Sequence, residues 1–432
     1  MARRRALGSP ARQISSRLQL WRSNESHHLA LGRVVECYCQ FLVCRELAWL
    51  AWARGDGSSV ETNLPVKWTD TENVAWKIEL KYGGHSSPVI WNDLVLITGA
   101  DTAALKRLLG AFDRRTGKQL WEVIVDESPL EKKHNLNSWA SSTPVTDGEK
   151  VFVSFLHEKE MLVGAYDVSG KELWKVRPGI FSSVHGYCSS PVLFENLIII
   201  NGDHDGDAYL VALERATGKT VWKTARENRT RSYCTPLIRE IDGRTQMMLS
   251  GSKSIASFDP RTGTRQWVID GPTEQFVASL VYHKDLVFVT GGFPDKHIMA
   301  IDPRGSGNLT KSENIKWHRQ RNGVSYVPSP VAINGLFFIV ADDGIATCID
   351  CVSGEQKWQK RMGRRFSASL ITTPDRVYYL DDDGNSKVLK AAAEYEELAD
   401  NKLGEATFAS PAASQGQLFI RGEKHLFCIG KP

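Results

Sequence analysis

Four groups of residues have the side-chain types to do chemistry. The first is the acidic run Asp203-His204-Asp205-Gly206-Asp207. Clustered carboxylates supply the hard oxygens that calcium prefers, so Asp203, Asp205 and Asp207 are weak metal candidates. Asp-Gly is also what a tight hairpin turn wants. Ala341-Asp342-Asp343-Gly344 and Asp381-Asp382-Asp383-Gly384 fall at matching places further along the chain, which favours the turn reading. The second group is Cys348-Ile349-Asp350-Cys351. A zinc site would want a second such pair, and a redox pair would open a helix. This pair lies in a β-rich stretch, so both cysteines read as ordinary repeat positions. Eight cysteines in 432 residues do not make a disulfide framework, which is a device of small secreted domains. The third group comprises His85, Trp139, His185, Tyr187, Tyr233, Phe276, Tyr326, Phe366 and Phe408, which precede recurring Ser-Pro segments. They read either as a ligand-binding ring or as packing between neighbouring strands. The fourth is a set of arginines, Arg226, Arg229, Arg231, Arg239 and Arg244, with Arg361, Arg364 and Arg365, read as solvated faces. The sequence contains no nucleophile elbow, Walker loop or H-E-x-x-H pattern and no kinase signature, so no catalytic residue is assigned.

The elements that would position these groups come from an internal repeat. One half reads apolar-Asp-x-x-Thr-Gly-Lys-x-x-Trp, as in Phe112-Asp113 through Trp121, Tyr166-Asp167 through Trp174 and Leu213-Glu214 through Trp222. Asp and Thr side chains hydrogen-bond nearby backbone N–H groups, and Gly takes the turn's positive φ. Trp76, Trp121, Trp174, Trp222, Trp267, Trp317 and Trp358 then read as rings buried between neighbouring sheets. The other half is a Ser-Pro start followed by two strands, centred on Pro88, Pro144, Pro191, Pro236, Leu280, Pro330, Leu370 and Pro411. Eight copies about 46 residues apart match the period of a propeller blade. The expected fold is all-β: an eight-bladed β-propeller of four-stranded antiparallel blades. Its last copy offers three strands (410–414, 417–421 and 425–429) and no Trp strand. The chain opens on an orphan Trp strand (74–80). The two should share one blade and close the ring.

The Ala-x-Asp-x-x-Thr-Gly-x-x-x-Trp repeat resembles that of the pyrroloquinoline-quinone-type (PQQ-like) β-propellers over roughly residues 52–432. Segments 52–68, 84–89, 201–213 and 422–430 resemble bacterial, usually exported, members. That resemblance implies one of three classes: quinoprotein dehydrogenases, the outer-membrane assembly lipoprotein scaffold, and propellers fused to Ser/Thr kinases. Fold alone does not choose between them. Many of the dehydrogenases stack the quinone on a disulfide between adjacent cysteines and hold a calcium ion. This chain has no Cys-Cys pair, and a calcium ligand set is not identifiable. No cofactor is therefore expected, with PQQ and calcium as the alternative.

The composition excludes a disordered chain and a polytopic membrane protein: 42% hydrophobic, 24% charged, mean hydropathy −0.29. Net charge is +4. Residues 1–60 hold nine arginines against four acids, and the remainder is near neutral, so no global field invites nucleic acid. Residues 1–65 read as a poorly structured or partly helical extension, a mis-called start or a degenerate export signal, and residues 66–432 as the propeller. No apolar run reaches a membrane span. The functional expectation is a non-catalytic scaffold holding a protein, peptide or glycan at the top face or channel mouth. The alternatives are a PQQ-dependent oxidoreductase or PQQ binder, and a sensory propeller working beside a separately encoded Ser/Thr kinase. The resemblance implies a periplasmic or exported protein; the N-terminus shows no convincing signal peptide, and without export the location would be cytoplasmic.

Overall fold

The computed structural model describes residues 55–320 and 323–431. Most of the expected extension therefore lies outside the described residues. The rest forms eight sheets, each with four antiparallel strands. Blades 1 to 7 span residues 89–127, 145–180, 192–225, 237–270, 281–320, 331–361 and 371–402. Blade 8 joins Ala412–Ser414, Gln417–Arg421 and His425–Ile429 to Val74–Glu79. Trp76 pairs with Cys428 and Ile78 with Leu426 across that junction. The first and last strands thus lie in one sheet, and the ring is closed.

The repeat's residues explain how blades dock. Six of the seven outer-strand Trp residues lie on the turn of the following blade and donate their indole N–H to a turn carbonyl. Trp76 reaches Arg114 O at 2.7 Å, Trp121 reaches Val168 O at 3.0 Å and Trp222 reaches Pro260 O at 3.0 Å. Trp174, Trp317 and Trp358 make the same contact to Arg215, Cys351 and Ala392. The turn glycine is needed twice over. Gly218 has φ +73°, and a Cβ there would sit 2.6 Å from the Trp174 ring. Any side chain would be strained and would push the ring away.

Trp267 departs from this pattern. It is fully buried, yet its N–H donates to Gln246 within its own blade at 2.7 Å. The reason is the long turn of blade 5. Gly307–Asn308 adds a short parallel strand beside the Trp267 strand, and Arg244 and Gln246 donate to Pro303 O. The inserted turn covers the ring from outside, so no neighbouring carbonyl is needed.

Blades also join at the inner strands. In six of the eight blades the residue before the Pro start, or before the Leu that replaces it at Leu280 and Leu370, carries a hydroxyl that accepts the preceding blade's N–H. Ser87 N–H donates to Thr143 Oγ1 (3.0 Å), Thr143 to Ser190 (3.0 Å), Thr235 to Ser279 (3.2 Å), Ser279 to Ser329 (3.0 Å), Ser329 to Ser369 (3.0 Å) and Ser369 to Ser410 (2.9 Å). Where a Pro follows it has no N–H to satisfy, which suits the strand nearest the axis, and where Leu370 follows its N–H donates to Ser329 O at 3.2 Å. Cys348 and Cys351 are buried, and burial pushes both thiols up to about 12. Such thiols are chemically quiet at neutral pH. Among the described residues no helix is long and apolar enough to cross a membrane.

Candidate binding channel

The inner strands surround a cavity of about 810 Å³ on the ring's axis, lined by residues from all eight blades. Its walls are mainly apolar, with Val89, Val145, Val192, Leu237, Val277 and Val327 among the lining, interleaved with the hydroxyls of the inner girdle. This follows from strand alternation: every second residue of the inner strand must face the axis.

One end of the channel is crossed by the chain itself. Gly55 lines the cavity. Asp56 meets Arg239 of blade 4 at 2.9 Å. Thr372 of blade 7 donates its N–H to Gly57 O at 2.9 Å and accepts from Ser59 N–H at 2.7 Å. Residues 55–59 therefore run between two nearly opposite blades, and they form a floor.

The other end is the mouth. Of the nine residues singled out before the Ser-Pro segments, His85, His185, Tyr233, Tyr326 and Phe408 line the cavity. His85 stacks on Phe408 with centroids 4.7 Å apart. Tyr233 joins Ser183 Oγ (2.7 Å) and His185 Nδ1 (3.1 Å) through its hydroxyl. The other four point elsewhere. Tyr187, Phe276 and Phe366 are buried in inter-blade clusters. Trp139 folds back on its own loop: its N–H donates to Glu131 O at 2.8 Å, and Lys133 covers its ring at 4.6 Å.

Sequence reasoning missed a second set at the mouth. His134 and Leu136 come from the long loop between blades 1 and 2, Arg231 from the segment entering blade 4, and Phe293, Lys296 and Asp342 from hairpins of blades 5 and 6. Arg231 reads from the sequence as a solvated face and Asp342 as part of a turn, and no motif marks His134, Leu136, Phe293 or Lys296. Leu136 and Phe293 are 43% and 53% exposed, as is nearby Val184 at 63%, so the rim presents apolar side chains to solvent.

The acidic run is a hairpin in blade 3, and each of its carboxylates faces an arginine of the segment entering blade 4. Asp203 pairs with Arg226 (2.8 Å), Asp205 with Arg231 (2.7 Å) and Asp207 with Arg229 (3.0 Å). The first pair is buried, and Asp203 also accepts from Ser232 Oγ at 2.7 Å. Arg226 is thus an internal brace of the blade 3–4 junction, and the solvated-face reading fails for it because its charge is compensated at short range. The one acidic-hairpin residue that lines the cavity is Asp342. Its carboxylate accepts from the N–H groups of Tyr326 (2.9 Å) and Val327 (3.0 Å), yet burial still raises its pKa.

Burial, helped by Arg421 and Lys133, lowers the His85 pKa from 6.5 to about 4. His85 is therefore neutral at pH 7. As pH falls, the unfolded chain takes up this proton first, so the stability tied to neutral His85 is complete above about pH 6.5 and erodes toward pH 4. Urea melts of the wild type should lose about 2 kcal/mol more between pH 7 and pH 4.5 than melts of His85→Phe. Parallel pH curves for the two proteins would contradict this assignment.

Residues 105–360 match the sequence family described as outer membrane protein assembly factor BamB. The outer membrane protein assembly factor BamB of Yersinia pestis is 21% identical over 324 residues, which is 75% of this chain and 69% of that protein. Among solved structures, BamB from Moraxella catarrhalis superposes with a TM-score of 0.60 at 12% identity, covering 83% of this chain and 99% of that one. The quinohemoprotein alcohol dehydrogenase from Comamonas testosteroni gives 0.58 at 14% identity, covering 83% and 77%. The computationally designed Ika8 protein gives 0.57 at 13%, covering 82% and 98%. The structural likenesses speak for the fold alone, since an enzyme, an assembly factor and a designed ring share it. With the sequence match spanning more than half its length, the chain belongs to the family of the outer membrane protein assembly factor BamB.

Proposed function

We propose that this protein is a non-catalytic scaffold of the cell envelope, periplasmic or exported, that holds an extended segment of another protein at the channel mouth. The observation that carries the reading is the one-ended cavity itself. Its apolar walls can take side chains, its exposed apolar rim favours a protein surface over water, and its imidazoles, hydroxyls and Lys296 can hydrogen-bond a peptide backbone. The relatives' name, an assembly factor, supports a protein partner over a glycan. The near-neutral charge of the ring supports no role with nucleic acid.

The same reading takes no quinone. A quinone with calcium needs several hard oxygens together with positive groups for its carboxylates. The cavity lining offers one carboxylate, Asp342, already engaged by two backbone N–H groups, and Arg231 and Arg239 are neutralised by Asp205 and Asp56. These residues do not fit the pair, and no step is derived through it.

Photocrosslinking in cells tests the proposal. A benzophenone amino acid at position 184 or 293 should crosslink to a polypeptide, and one at the exposed outer-strand position 221 should not. Crosslinks at 221 with none at 184 or 293 would move the binding surface to the blade edges. A parallel titration with PQQ, with and without calcium, should leave the Trp fluorescence unchanged; saturable quenching that needs calcium would reinstate the oxidoreductase.

A further inference from the structure

Blade 5 brings two histidines together. His297 opens its third strand, His297–Ile301, and His318 lies on its fourth, Ile315–Gln320. The strands are antiparallel, with His297 opposite Gln320 and Met299 opposite His318. Side chains alternate along a strand, so His297, Met299 and His318 share one face of the sheet. Met299 packs there in the cluster that joins blades 3, 4 and 5. The two imidazoles meet on the diagonal: His297 Nδ1 and His318 Nε2 are 2.9 Å apart, with ring centroids 5.1 Å apart.

A hydrogen bond uses only part of what these nitrogens offer. A neutral pair shares one proton between the facing nitrogens. His297 is 5% exposed, and its other nitrogen, Nε2, has no hydrogen-bond partner. Nothing on the far side of the ring therefore fixes its tautomer. With the proton on Nε2, the Nδ1 lone pair points toward His318. Burial lowers the pKa of both rings, and on His297 the neighbouring His318 adds to the effect. Both are neutral at pH 7, the state in which imidazole binds metal.

Metal–imidazole bonds are about 2.0–2.1 Å long. Two such bonds to nitrogens 2.9 Å apart enclose an angle of about 90°. That is the cis angle of square-planar copper(II), and it is narrow for tetrahedral zinc. Copper(II) also binds nitrogen ligands most strongly among the divalent first-row metals. Access is open on one side, because His318 is exposed while His297 is buried. The Asp295 carboxylate acts through space to raise the His297 pKa, so the local field there favours a cation. Among the described residues no third His, Cys, Asp or Glu completes a cluster, so the remaining coordination positions fall to solvent on the exposed side.

We propose that His297 Nδ1 and His318 Nε2 form a copper(II) site on the outer half of blade 5. Neither residue lines the channel, so the site is independent of the scaffold role. Two measurements test it. Crystals of the wild-type protein soaked in copper(II) chloride should show an anomalous peak at the copper edge between the two rings. In calorimetric titration at about pH 7.5, the full-length wild type should bind one more copper than His318→Gln, and lowering the pH to about 5 should erase that difference as protons displace the metal. The same subtraction removes any copper held by His27 and His28. His318 is exposed on an outermost strand, so its replacement leaves the fold intact. No peak between the rings, or equal copper numbers for the two proteins, overturns the site. Zinc displacing the copper at equal concentration overturns the choice of metal.

Discussion

Deletion of residues 409–432 should abolish cooperative folding. The deletion removes three of the four strands of blade 8 and leaves Val74–Glu79 without a partner. It also removes Leu418, Phe419, Ile420, Leu426, Phe427 and Ile429, all essentially fully buried. Each contributes about 1.5–3 kcal/mol of burial, together on the order of 10 kcal/mol, which is comparable to the whole stability of a typical domain. The faces of blades 7 and 1 would become exposed sheet surfaces open to association. The expected product is soluble aggregate on size exclusion with no sharp thermal transition. A monomer that melts sharply within a few degrees of the full-length protein would show that the ring does not depend on its closing blade.

Trp222→Ala should lower unfolding free energy by about 3–5 kcal/mol, the range for truncating a buried Trp. Trp222 is 9% exposed and belongs to a cluster that joins blades 3, 4 and 5. Its ring lies on the blade 4 turn: a Cβ on Gly263, at φ +71°, would fall 2.6 Å from it. Removal opens a cavity between two sheets and strips Pro260 O of its indole donor. Thr224 Oγ1, which donates to Gly263 O at 2.8 Å, holds the turn in place, so the gap cannot close by simple collapse. Trp174→Ala should cost less, because that ring is only partly buried. Equilibrium urea unfolding of both variants is the measurement. A Trp222→Ala midpoint within error of the wild type would contradict the docking role.

The blade was legible in the residues alone. Asp-x-x-Thr-Gly closes its turn through hydrogen bonds of short range. Asp113 Oδ1 accepts from Thr116 N–H (2.8 Å) and Thr116 Oγ1 (2.7 Å) within four residues. Such chemistry is legible wherever it occurs, and eight Ser-Pro copies, with an orphan Trp strand at one end and a missing one at the other, were enough to count and close the ring. The turn after Leu389 lacks the Asp-x-x-Thr-Gly pattern yet keeps its function: Trp358 donates to Ala392 O, and Tyr395 packs edge-on against its ring at 5.4 Å.

Which side chains meet across blades became visible in the folded ring. Five of the nine mouth residues line the cavity and four do not: His85, Tyr233 and Phe408 stand three residues before the Pro position and face the channel, while Tyr187, Phe276 and Phe366 stand four before it and turn into the sheet interface, and the connecting loops place the other three. The answering of Asp203, Asp205 and Asp207 by three arginines some twenty residues later depends on how one blade hands the chain to the next. So does the floor, where Asp56 meets Arg239 across 183 residues of sequence. Arg421 looks in the sequence like any strand-end arginine. Only ring closure brings it to Ser86, 335 residues away, and buries its charge, since no local pattern encodes contacts made by the two ends of a closed circle.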